Sequence, residues 1–142
     1  MRLEFKFDDK AVMARLRDLE KKAPQKIDTA IKKTAMTGTR IILERTDKGM
    51  GFKGPFKPYS EKYAKFRAKR GRQIAPVDLN FTGAMLGSMS NRSLGVGRQR
   101  LYFLRATEAK KAFHNNKTRP FFGFSAKEKT RLKNVFKRSL QL

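Results

Sequence analysis

Along the first seven residues apolar and charged side chains alternate, with Leu3, Phe5 and Phe7 on one face and Arg2, Glu4 and Lys6 on the other. A period of two is the signature of a half-buried strand, because successive side chains of an extended chain point to opposite faces. The period then lengthens. Val12, Leu16, Leu19, Ala23, Ile27, Ala30/Ile31, Thr34, Gly38 and Ile41/Ile42 recur at spacings of three and four, which draws one apolar stripe down a long helical region. Asp8 is the expected cap of this region, since its carboxylate accepts orphan N–H bonds and suits the positive end of a helix. Pro24 predicts a kink or a fresh helix start, and Asp47-Lys48-Gly49 the end.

From 48 to 78 the pattern dissolves into Gly49, Gly51, Gly54, Pro55 and Pro58 before Ser60 caps a short helix, Glu61–Arg70, stopped by Gly71. Tyr63, Phe66 and Arg67 share one face of that helix. Asp78–Met89 reads as an extended entry, a cap at Thr82 and a second short helix. Leu94 and Val96 alternate with polar or Gly neighbours and Leu101–Leu104 is an apolar run, so Gly97-Arg98-Gln99-Arg100 is the expected turn of an antiparallel hairpin. Ala106–Asn115 predicts a helix with Ala109, Ala112 and Phe113 inward, and Pro120–Phe124 a short strand with Pro at its start, where a lost donor costs least. Ser125-Ala126-Lys127-Glu128 spells a capping box; Leu132, Val135, Phe136 and Leu140 then give a helical apolar face. The sum is an α+β fold in a single domain, 1–142. A small antiparallel sheet of about four strands packs against a long N-terminal helix and a C-terminal helix, with a loop and short-helix excursion at about 48–78.

Composition changes this picture in one respect. At 142 residues, 39% hydrophobic with twelve Phe, the chain can bury a core without covalent staples. It has no Cys, which removes disulfides and thiolate chemistry together. Neither the apolar stretch of a leader peptide nor the roughly 18 apolar residues of a membrane helix is present, so synthesis and assembly in the cytoplasm, without a membrane partner, are expected. The charge is what stands out: 35 Lys and Arg against 12 Asp and Glu, a net +23. Self-repulsion on this scale opposes compaction unless a polyanion or an acidic partner meets it.

The excursion concentrates that charge. From Lys48 to Arg72 nine basic residues face Glu61 alone. Lys53, Lys57, Lys62, Lys65, Lys69, Arg70 and Arg72 are the candidate partner- or DNA-facing cations, and Phe52, Phe56, Tyr59, Tyr63 and Phe66 the interleaved candidate docking aromatics. Such rings stack on bases in single-strand binders; for Tyr63 and Phe66 the plainer expectation is that they anchor the helix to the domain or to a neighbour. Catalytic candidates are poor. Gly49-Met50-Gly51-Phe52-Lys53-Gly54 matches GxGxxG, yet it follows a helix and runs into Pro55, whereas a dinucleotide site needs a strand delivering the glycines to a helix N-terminus. His114-Asn115-Asn116 hints at a metal nuclease, but His114 is the only histidine and no acidic pair lies close in sequence. No catalytic centre, metal, cofactor or small-molecule substrate is expected.

Three stretches, in order, resemble the virion-morphogenesis or tail-completion (neck) family of tailed bacteriophages. One is Gly54-Pro55-Phe56-Lys57-Pro58-Tyr59-Ser60 with Tyr63-Ala64, Lys69-Arg70-Gly71 and Val77-Asp78-Leu79. The second is Phe81-Thr82-Gly83-Ala84-Met85-Leu86-Gly87-Ser88-Met89, and the third Arg119-Pro120-Phe121-Phe122-Gly123-Phe124-Ser125. Together they span roughly 40–140. The chain departs from the family at His114-Asn115-Asn116-Lys117-Thr118, where relatives place a Gly after the His; Asn tolerates the left-handed conformation such a turn needs. The resemblance implies a non-enzymatic structural protein of the virion neck. It would form a homo-oligomeric ring around the channel of packaged double-stranded DNA, joining head-side connector or adaptor proteins to tail terminator or tail tube proteins. Charge alone leaves a rival, a stand-alone nucleic-acid-binding protein without sequence preference; a basic nuclease or toxin is the third.

Overall fold

The computed structural model describes residues 1–5 and 10–140. Its elements are β1 (Leu3–Phe5), α1 (Lys10–Lys22), α2 (Pro24–Asp47), β2 (Met50–Gly51), β3 (Gly54–Pro55), α3 (Glu61–Lys69), α4 (Ala84–Gly87), β4 (Met89–Gly95), β5 (Arg98–Phe103), α5 (Ala106–Thr118) and α6 (Ala126–Ser139). The α+β class holds: small antiparallel sheets pack against the long helix α2 and the C-terminal helix α6. The expected continuation of β1 through Phe7 and the cap at Asp8 lie outside the described residues.

Pro24 works as the sequence requires. It disfavours helical backbone at the residue before it, so Ala23 leaves the helix at φ −155° and Pro24 takes the first turn of α2, where its missing N–H costs nothing. The stripe of α2 becomes the spine of the core, with Ile27, Ala30, Ile31, Thr34, Ala35, Gly38, Ile41, Ile42 and Thr46 buried. Gly38 is there because nothing larger fits: a Cβ would stand 2.7 Å from Phe5 Cζ and 2.9 Å from Phe124 Cζ.

The main sheet has the order β1-β5-β4. Leu3 pairs with Leu101 and Phe5 with Gln99, so Gln99, Leu101 and Phe103 point into the protein from β5. The expected turn at 97–100 is corrected: the reversal is Val96-Gly97, and Arg98, Gln99 and Arg100 already belong to β5. Polar partners let them do so. Gln99 is buried but accepts from Asn91 Nδ2 at 3.1 Å, and Arg98 and Arg100 reach Glu4 on β1 at 3.6 and 2.8 Å. The hydrogen bond from Arg100 holds the Glu4 carboxyl below the usual carboxylate range.

A second correction concerns Pro120–Phe124, which forms no strand. Side chains take over the work of a ladder there. Asn116 Oδ1 accepts from the backbone N–H of both Phe121 and Phe122, at 3.0 and 2.9 Å. Arg45 Nη2 donates to the carbonyls of Phe121 and Gly123, each at 2.5 Å. Phe121 and Phe122 are thereby driven into the core against Phe103. With this segment irregular, the sheet keeps three strands, and β2 and β3 make a separate two-stranded ribbon.

Helix α5 runs to Thr118, past the expected end at Asn115, so no left-handed Asn forms in 114–118; Asn116 serves through its side chain instead. Phe113 faces outward at 48% exposure, beside Lys117, because the buried line of α5 runs through Glu108 and Ala112. The capping box forms as spelled: Ser125 Oγ accepts from Glu128 N–H, and Glu128 Oε2 accepts from Ser125 N–H. Glu128 Oε2 also meets Arg45 Nη1 at 2.6 Å, which ties α6 to α2. Among the described residues no helix is long and apolar enough to cross a membrane.

Candidate functional site

The excursion is mounted on a buried cation. Ser60 Oγ accepts from Tyr63 N–H at 3.2 Å and opens α3, whose inward residue is Arg67, 1% exposed. Its guanidinium donates from Nε to Gln73 O at 2.7 Å, and from Nη2 to Asn80 O at 2.9 Å and Asp78 Oδ1 at 3.1 Å. The returning segment 73–80 is thus wrapped around one side chain whose planar fork can hold several acceptors at fixed angles. Asp78 Oδ1 also accepts from Asn80 N–H, and Leu79 sits between them in the left-handed region at φ 55°, buried. Its N–H donates to the Tyr59 hydroxyl at 3.2 Å. Burial pushes the Tyr59 hydroxyl pKa above its ordinary value.

Rings continue the mounting outward. Tyr59 meets Tyr63 edge-on at 5.1 Å, Tyr63 stacks on Phe66 at 5.8 Å, and Phe66 stacks on Phe81 at 5.8 Å. Cations lie against them: Arg67 at 4.6 Å and Arg119 at 5.0 Å from Tyr59, Arg70 at 3.7 Å from Phe66, Arg72 at 5.4 Å from Phe81. Each such contact is worth about 0.5–1 kcal/mol when exposed, and about 2 when desolvated. Arg119 also donates to the carbonyls of Lys57 and Pro58, at 2.7 and 2.8 Å. Nearby, Phe52 N–H donates to Pro120 O at 3.1 Å, and the Phe52 ring lies where a Cβ on Gly123 would collide with it at 2.6 Å.

The expected site residues therefore divide. Lys53, Lys57, Lys62, Lys65, Lys69, Arg70 and Arg72 are all exposed; Lys65 pairs with Glu61 at 3.0 Å in an open i,i+4 contact. Of the aromatics, Phe56 belongs to the core and Phe52 packs on Gly123. Tyr59, Tyr63 and Phe66 join in the ring series, with Tyr63 and Phe66 still 38% and 39% exposed. The glycines of the GxGxxG match shape the β2–β3 ribbon: Gly49 and Gly54 adopt positive φ, and a Cβ on Gly51 would run into the Pro120 carbonyl. His114 is exposed beside Phe113.

Between α3, residues 79–85 and α5 lies a cleft of about 550 Å³, lined among others by Tyr59, Tyr63, Phe81, Met85, Glu108 and Arg119. Glu108 is 5% exposed; its Oε1 accepts from Lys111 Nζ at 3.0 Å. Sequence reasoning put Arg67 on a helix face but missed Arg67, Asp78, Phe81, Glu108 and Arg119 as site residues. One signal was available. Asp78 is the single acidic residue between Glu61 and Glu108, so a cation able to reach it was a candidate for burial.

No protein-family model matches the chain, and no curated protein or solved structure does either. What fold and site define on their own terms is a small α+β domain that carries a cationic, aromatic arm on a buried Arg67–Asp78 mounting.

Proposed function

We propose that the protein is a non-enzymatic structural component of a tailed-phage neck, a tail-completion protein acting as a homo-oligomeric ring around the DNA channel. It would join head-side connector proteins to the tail. One observation carries the reading: the three stretches that resemble the neck family are used together, as the framework of a single arm. Arg119 clamps the Lys57 and Pro58 carbonyls, Phe81 stacks on Phe66, and Asp78 pairs with buried Arg67. Residues spent on mounting leave Lys62, Lys65, Lys69, Arg70 and Arg72 facing outward. A firmly seated basic helix suits docking on an acidic neighbour or lying along packaged DNA, where fixed cations release counterions without a further ordering cost.

Electron microscopy of intact particles that contain this polypeptide tests the reading. A ring of it between portal and tail is the expected result, and its absence from mature virions sinks the proposal. The exposed cations beside Tyr63 and Phe66 favour the second reading, a stand-alone nucleic-acid binder. That reading requires tight binding of free DNA or RNA by the isolated chain, falling steeply as salt rises. Binding that is insensitive to salt excludes it.

A further inference from the structure

Helix α6 carries six cations and one acid between Ala126 and Ser139. The acid, Glu128, is turned inward: its Oε2 accepts from Ser125 N–H and meets Arg45 Nη1 at 2.6 Å. Leu132 and Phe136 are buried and seat the helix in the core. Lys127, Arg131, Asn134 and Arg138, at i, i+4, i+7 and i+11, fall on one line down the side away from the core, and all four are exposed. Lys127 and Arg131 stand four apart, and like charges at that spacing weaken a helix. A polyanion laid over the line relieves that repulsion.

The other helices do not share this face. On α1, α2 and α3 an acid stands among the outward cations, in the exposed pairs Lys22–Asp18, Arg40–Glu44 and Lys65–Glu61. α3 also exposes Tyr63 and Phe66, and α5 exposes Phe113. Among the described residues of α6 no large apolar side chain is exposed, and no acid stands on the outward line. That composition decides between partners. A protein interface has an apolar and aromatic core from which Lys is depleted, so an acidic protein fits α3 better than α6. Single strands are held by stacking their bases on rings, which the outward line of α6 lacks. A membrane surface takes up the apolar side of a helix, and here Leu132 and Phe136 are already buried. A duplex needs neither rings nor apolar side chains, because Lys, Arg and Asn meet its phosphates. From Lys127 to Arg138 the line runs about 16 Å along the helix axis, over which one strand presents about five phosphates.

We propose that α6 is the surface of this protein that lies along double-stranded DNA, with Lys127, Arg131 and Arg138 on the phosphates of one strand and no base read. The inference deepens the neck reading by assigning the helix that faces the channel. It rests on that reading only for where the DNA is met; the contact itself belongs to the isolated chain.

Fluorescence anisotropy of a short labelled duplex of mixed sequence, titrated with the full chain between about 50 and 200 mM salt, tests it. Replacing Lys127, Arg131 and Arg138 together with Gln, a good helix former, should lower the slope of log affinity against log salt by about 3 and weaken low-salt binding more than about tenfold. The charge-matched variant, with Lys62, Lys65 and Lys69 replaced by Gln, should change that slope by less than about 1. Should the α6 variant lose its circular dichroism, the wild type still gives the answer: bound duplex should shield Lys127 from acetylation, read by mass spectrometry, and leave Lys62 as reactive as in the free protein. Equal losses in the two variants overturn the proposal in favour of the whole basic surface. Tighter binding of a single strand, lost in Tyr63→Ala, overturns it in favour of α3. Poly-glutamate bound more tightly than the duplex, or no duplex binding at about 50 mM salt, overturns it in favour of an acidic protein. A neck ring whose duplex binding ignores α6 sinks this inference and leaves the neck reading standing. Absence from virions, with duplex binding that depends on α6, does the reverse.

Discussion

Replacing Asp78 by Asn removes one charge and almost nothing else. Asn keeps an acceptor oxygen for the Asn80 N–H that Asp78 now holds, and its volume is nearly the same. What changes is the electrostatics of Arg67, whose side chain is 1% exposed and whose ion pair to Asp78 spans 3.1 Å. Removing one partner of a buried pair strands the other charge away from water, at about 3–5 kcal/mol. Gln73 O and Asn80 O remain as acceptors, and the Tyr59 face remains at 4.6 Å, which places the expected loss near the lower end, about 3 kcal/mol. The arm and the body share Phe56, Val77 and Leu79 in one core, so the loss is felt by the whole domain. For a chain of this length it lowers the melting temperature by roughly 10 °C.

The chain has no Trp, so far-UV circular dichroism in urea and on heating is the assay. Arg67→Met in the Asp78→Asn background should recover most of the loss, because the stranded charge is gone and a flexible apolar side chain fills its place. Arg67→Lys alone should not match the wild type, since an ammonium cannot present a planar fork to Gln73, Asp78 and Asn80 together. If Asp78→Asn falls within about 1 kcal/mol of the wild type, or if the double variant shows the plain sum of the single losses, the pair is not what seats the arm.

Tyr59 gives a pH dependence of definite sign. Its folded pKa is raised by burial, so its contribution is complete below the ordinary tyrosine value of about 10 and is lost as pH climbs through the higher folded value; Tyr59→Phe should flatten that alkaline slope in melts at stepped pH. Glu128→Gln removes the charge opposite Arg45, whose side chain is 11% exposed, and should cost about 2–3 kcal/mol, whereas Glu61→Gln breaks the open pair with Lys65 and should cost under about 0.5 kcal/mol; equal losses in urea titrations would show that burial is not the deciding variable. Gly38→Ala gains about 1 kcal/mol of helix propensity but overpacks Phe5 and Phe124, two rings that already touch at 5.5 Å between centroids; overpacking of about 1–3 kcal/mol should win and lower the melting temperature. Replacing Lys62, Lys65, Lys69 and Arg70 with Ser should leave the fold intact, at a cost of about 0.5–1 kcal/mol for the lost Arg70 contact with the Phe66 ring, and impair head–tail joining, read as the yield of infectious particles.

Elements whose signal is local were legible in the sequence. The break at Pro24, the Ser60 cap of α3 and the Ser125–Glu128 box depend on residues within four positions of one another, and each forms where those residues stand. Legibility fails where a polar side chain from a distant element supplies the bond. Pro120–Phe124 reads as a strand because its composition is right, yet Asn116 and Arg45 satisfy its backbone instead. Arg98–Arg100 reads as a turn because it is polar, yet Asn91 and Glu4 make it a strand. The candidate site divides the same way. The exposed cations were found by counting charge. The residues that seat them were hidden, because burial of an Arg is decided by acceptors at 73, 78 and 80, which periodicity does not register.

The few acids of the chain are mostly paired within it, and the excess of cations is left to the surface. Glu4, Asp18, Glu44, Glu61, Asp78, Glu108 and Glu128 each hold an ion pair with a Lys or Arg of this same chain. Most of the twelve negative charges are therefore committed within the molecule, three of them, on Asp78, Glu108 and Glu128, largely shielded from water. Exposed cations stand on every helix except the four-residue α4. Positive charge is thus a property of the whole surface, and α3 differs by offering it on a seated aromatic base. Acids used in mounting and cations left facing outward are the arrangement that the proposed docking on an acidic neighbour or on DNA calls for.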